Sequence, residues 1–142
     1  MTDAMSRGER LERWAWLIEK HNGQLRPFVE VEFMTIAARA PLRQAYSPLT
    51  VAYQDPVLRR AGLGSDRFGD GEDFFGLSRD QSHRVLCSCG YPGTMRAVDV
   101  ARRIRAIARR ESRRLWRPAN PLPALARWLS GLRPLSGFTR PA

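Results

Sequence analysis

The chain has almost nothing with which to staple itself together. Its 142 residues include two cysteines, Cys87 and Cys89, and a C-x-C pair is a poor framework for a disulfide scaffold in a chain of this size. Long apolar runs are also missing. No uncharged stretch approaches the roughly 18 residues that a membrane span needs. Met1 to Arg13 is charged and lacks the apolar centre of a secretory signal. The expectation is a cytoplasmic protein without a transmembrane segment. Histidine is scarce, with only His21 and His83, so a histidine-activated nucleophile has few places to form. There is no nucleophile elbow, P-loop or H-E-x-x-H. These gaps favour binding over catalysis.

The most telling absence is of acid in the last third. Residues 1–90 carry twelve basic and twelve acidic side chains. Residues 91–142 carry twelve arginines against Asp99 and Glu111 alone, and twelve minus two is the whole formal charge of +10. A neutral body joined to a cationic helix and tail suits a polyanionic partner, either nucleic acid or an acidic protein surface. Arginine outnumbers lysine 23 to one. That ratio suits either selection for a bidentate grip on phosphates or carboxylates or a codon bias toward arginine, and codon bias does not explain the loss of acids after Glu111.

What is present reads as mainly α: a small compact helical domain over 1–116, with irregular or short β segments, and a flexible Pro-rich basic tail over 117–142 holding an amphipathic segment. Ser6-Arg7-Gly8-Glu9 is a capping box. Leu11, Trp14, Ala15 and Ile18 follow at one-face spacing, which predicts a helix over 7–21. Residues 27–54 mix the alternation of Val29, Val31 and Phe33 with a helical stretch before Pro41 and Pro48. The reading is a short helix and irregular chain, with Leu49 to Tyr53 open to a short β segment. Asp55-Pro56 starts a short helix that Gly62 ends. Residues 62–76 are rich in Gly and Asp and read as a loop. Its four acids fail the calcium-loop pattern, because Phe68 and Leu77 stand where ligands belong. The loop is expected to dock on arginines of the basic helix instead. A second capping box at Ser78 opens a helix over 79–89. Thr94 is read as the cap of a helix over 95–116. The predicted core draws on Trp14, Ile18, Phe33, Leu58, Phe74 and Phe75, with Val85, Leu86, Val100, Ile104 and Ile107.

Three surfaces carry the functional expectations. In the 95–116 helix, Ala97, Val100, Ala101, Ile104, Ile107 and Ala108 form an apolar stripe. Arg96, Arg102, Arg103, Arg105, Arg109, Arg110, Arg113 and Arg114 fill the remaining arc. Guanidinium groups in such an arc suit nucleic-acid phosphates, and an accessory protein contacting nucleic acid is the leading reading. The two helices around Gly90 superficially suit helix-turn-helix docking, with Thr94 and Arg96 as early base contacts, although the joining segment is long for that motif. Docking on an acidic protein through the Arg face and tail is the alternative. Second, His83 and Cys87 at i and i+4, with Cys89 nearby, are candidate ligands for zinc in a metal- or redox-responsive protein. Otherwise no cofactor is expected. Third, Leu122, Leu125, Trp128, Leu129 and Leu132 make a Pro-bounded apolar face suited to a partner's groove.

Overall fold

A computed structural model describes residues 4–116, and these are mainly helical. Seven α-helices occur among the described residues: α1 (Arg7–Lys20), α2 (Ile36–Arg39), α3 (Pro48–Gln54), α4 (Pro56–Arg60), α5 (Phe68–Phe75), α6 (Arg79–Leu86) and α7 (Ala97–Leu115). No described helix is long and apolar enough to cross a membrane.

The frame is the antiparallel packing of α1 on α7. Leu11, Trp14, Ala15 and Ile18 of α1 are buried, as are Val100, Ala101, Ile104, Ile107 and Ala108 of α7. Ion pairs fix the direction: Arg7 meets Glu111 at one end and Glu19 meets Arg105 farther along. Trp14 is the hub of the core. It is fully buried, stacks on Phe75 at 4.1 Å between ring centroids, and donates from Nε1 to the Pro48 carbonyl at 2.9 Å. An indole is buried at little cost only when its N–H is satisfied.

Local signals place most helix starts. Ser6 and Glu9 close their capping box around α1, and Ser78 and Gln81 do the same for α6. Ser47 caps α3, so Pro48 opens a helix at its first position and does not break one. Leu49 to Tyr53 is therefore helical and not β. The alternation around Val31 yields no strand: it is a 3-10 turn, Val31–Phe33, beside one isolated parallel bridge between Phe28 and Cys87. Phe33, expected in the core, is 86% exposed. Glu30 takes a left-handed φ of 65° and turns the chain there, so Val31 goes inward and Phe33 outward. The bridge also ends α6 early. Phe28 N–H donates to the Leu86 carbonyl at 2.8 Å and Ser88 N–H to the Phe28 carbonyl at 2.9 Å, leaving Cys87 extended.

Residues 62–76, read as a loop, contain α5. Gly69 and Gly71 lower its helix propensity by about 1 kcal/mol each relative to alanine. Both serve packing. A Cβ on Gly69 would lie 2.8 Å from the Ala40 Cβ, and one on Gly71 would overlap the Leu49 side chain. The C-terminal carbonyls of α5 that lack a partner within the helix are held by α1: Arg10 donates to Phe74 at 2.8 Å, and Arg7 to Phe75 and Gly76 at 2.9 Å. The acids of this region do not reach the basic helix. Asp66 pairs with Arg43 and Glu72 with Arg39, because the turn into α5 faces the 39–43 segment. Thr94 is exposed and caps nothing; Arg96 is the N-cap residue of α7, with no side-chain cap bond.

Asp55 joins two elements. It caps α4 by accepting from Leu58 N–H at 3.2 Å, and it takes a two-point bond from Arg13 at 2.6 and 2.9 Å. The Arg13 hydrogen bond is the main force holding this carboxyl below its usual range. A carboxyl lowered in the fold stabilises above its unfolded pKa of about 3.9, and that stability is lost as pH falls through the folded value. Asp55→Ala should lose about 2 kcal/mol at pH 7 through the cap and the charge-assisted bonds. Urea titrations should show the gap to the parent closing toward pH 3; a gap unchanged between pH 7 and pH 3 would assign the loss to packing.

Candidate anion-binding face

The arginines of α7 divide into three sets by what α7 packs against. At the edge facing α1, half-buried Arg105 is consumed by Glu12 and Glu19, and its side chain is tied to the body. On the α6 side, Arg103 donates to the carbonyls of Arg84 at 2.6 Å and Gly90 at 2.5 Å. Its guanidinium lies 4.2 Å from the Tyr91 ring centroid. Tyr91 is itself buried and donates to the Val85 carbonyl at 2.9 Å, and burial pushes its phenol well above the ordinary range. Arg103 therefore clamps the 3-10 turn Ser88–Gly90 and is a structural group.

The outward arc is different. Arg102 meets Asp99 at 3.3 Å, a surface pair one turn apart that is worth a few tenths of a kcal/mol. Arg96, Arg109, Arg110, Arg113 and Arg114 are exposed and meet no carboxylate among the described residues. Arg109 with Arg113 and Arg110 with Arg114 stand at i,i+4, where like charges destabilise a helix by about 0.2–0.5 kcal/mol per pair. The last two favour the C-terminal end of the helix dipole; Arg109 and Arg110 lie a turn farther in. Four of these five cations sit in the C-terminal half of α7. That suits contact with a phosphate backbone along the helix better than insertion of its N-terminus into a groove. The segment between α6 and α7, residues 87–96, also contains the 3-10 turn and is no tight helix-turn-helix connection.

The proposed metal ligands do not converge. His83 lies on α6 with Nε2 accepting from Arg39 at 3.1 Å. Burial first, then the Arg39 and Arg79 charges, lower its pKa, so the imidazole is neutral. Cys87 is fully buried, and burial chiefly pushes its thiol up to about 12. Cys89 is exposed, with Sγ 3.9 Å from the His83 carbonyl. No group of three or more ligating side chains gathers among the described residues. Zinc needs a thiolate and a free imidazole lone pair, and this donor set fits it poorly.

Sequence reasoning missed what surrounds His83. Arg39 is 1% exposed; it also reaches Glu72 at 2.8 Å and lies 5.1 Å from the Phe68 ring centroid. It missed, too, that Arg84 of α6 stands across from Arg110 in one hollow. Nothing local marks either, because the partners are distant in sequence. Leu122, Leu125, Trp128, Leu129 and Leu132 lie outside the described residues. No protein-family model, curated protein or solved structure matches the chain.

Proposed function

We propose that this chain is a non-enzymatic accessory protein that grips a nucleic-acid backbone along the outward ridge of α7. The observation that supports the reading is the exposed pair Arg109 and Arg113, which stands at i,i+4 with like charge and meets no carboxylate among the described residues, in line with Arg102, whose partner is the surface Asp99. Arg102, Arg109 and Arg113 follow at i, i+7 and i+11, all on one side of the helix. Each neutralised phosphate releases counterions, so affinity would fall steeply with salt. The reading is of a cytoplasmic protein, consistent with two free thiols.

The test is the triple variant Arg102→Gln, Arg109→Gln, Arg113→Gln, which spares the clamp at Arg103. Its fold should be retained. The slope of log K against log salt for duplex DNA or RNA should become shallower by about 0.9 per lost phosphate contact, or two to three units in all. An unchanged slope, or a parent chain that binds neither nucleic acid at low salt, defeats the reading. Capture of an acidic protein in place of nucleic acid would return the face to an adaptor role.

A further inference from the structure

We propose that a furrow between α6 and α7, distinct from the outward ridge, docks an extended acidic segment of a partner protein through its carboxylates and aliphatic side chains. Two adjoining hollows of about 350 and 280 Å³ share Gln81, Ile107 and Arg110 and form one furrow. Arg84 stands on the α6 side; Arg110 and Arg114 stand on the α7 side. Ala106 is exposed at its aliphatic wall, and the buried Val85 and almost fully buried Ile107 form the floor. The one acid in the lining, Glu111, is already taken by Arg7. Arg84, Arg110 and Arg114 are exposed and meet no carboxylate among the described residues.

Charge complementarity makes the occupant an anion. The chain's own tail is a poor one: residues 117–142 hold four arginines and no Asp or Glu. The lining separates the remaining classes. A single nucleic-acid strand gains much of its binding from bases stacked on aromatic rings, and the lining residues include none. A duplex is too wide to enter and would rest on the ridge instead. A peptide meets both demands. From Arg103 to Leu115 the furrow runs about 18 Å along α7, the reach of about five or six extended residues. In an extended chain successive side chains alternate between two faces. Aliphatic groups can then enter the furrow while carboxylates reach the guanidinium forks, whose planar geometry matches them at two points.

The full chain, labelled for NMR, should be titrated with an acetylated, amidated hexapeptide alternating aspartate and leucine. Shifts should concentrate at Val85, Ala106 and Ile107 and spare the ridge. Arg84→Gln should weaken binding about tenfold, the loss of one charge-assisted bond pair. Serine in place of the leucines should weaken it at least as much. The triple ridge variant should bind the peptide as the parent does, so failure of the nucleic-acid reading and failure of this one are separable. The proposal is overturned by an absence of shifts at millimolar peptide, by equal binding of the serine peptide, or by a short oligothymidine that perturbs the same furrow residues with equal affinity.

Discussion

Arg39→Ala should destabilise the protein by about 3 kcal/mol, the lower end of the range for breaking a buried ion pair. The lower end applies because the Glu72 side chain keeps 14% of its surface in water, against 2% for that of Arg39. The truncation leaves Glu72 without its cation and removes the donor to His83 Nε2 at 3.1 Å. It also empties the space beside the Phe68 ring. The pair itself is a different matter. Two desolvated charges recover little more than they lose, so Arg39→Met with Glu72→Leu should sit within about 1 kcal/mol of the parent. Urea denaturation of the parent, both single variants and the double variant gives the coupling directly. If Arg39→Ala costs under 1 kcal/mol, water enters behind Phe68 and the cation is not buried in solution.

That cluster also marks the limit of what the amino-acid sequence displays. Three helix starts were legible from caps that reach only three residues, Ser6 with Glu9, Asp55 with Leu58 and Ser78 with Gln81; the equally local cap of Ser47 on Thr50 was not, because Pro48 read as a break. The stripe of α7 was legible because one face of a long helix repeats many times. The occupation of its polar arc was not. Arg105 spends its charge on Glu19, 86 residues away, and Arg103 on a carbonyl 19 residues away. A pattern of charges gives the arc but not its partners. The same holds for Arg39, which ends a four-residue helix and reads as a surface cation until Glu72 and His83 close over it. The missed helix α5 has a related cause. Its glycines are unfavourable locally and are retained because α2 and α3 approach too closely for a Cβ. Propensity was overridden by tertiary contact there, and Phe33 was misplaced by one left-handed residue at Glu30.

Alkylation of the native chain by iodoacetamide at pH 8 should modify Cys89 and spare Cys87, with a rate ratio of roughly a thousand or more. The thiolate is the reacting species. With its pKa pushed up to about 12, Cys87 at pH 8 is ionised in only about one molecule in ten thousand. Burial adds a steric term, because Cys87 has no exposed surface and the Phe28 bridge holds the chain on both sides of it. Reaction there requires opening of the α6 end, so its rate should follow local stability and rise in Arg39→Ala. Peptide mapping by mass after timed quenching separates the two sites. Equal labelling of both thiols in the native chain contradicts the burial. Protection of both thiols, released together by a chelator, would instead establish the zinc site at His83, Cys87 and Cys89. For that, His83 would have to give up Arg39 and Cys87 would have to turn out from the core, and the fold's melting temperature would fall when the metal was removed.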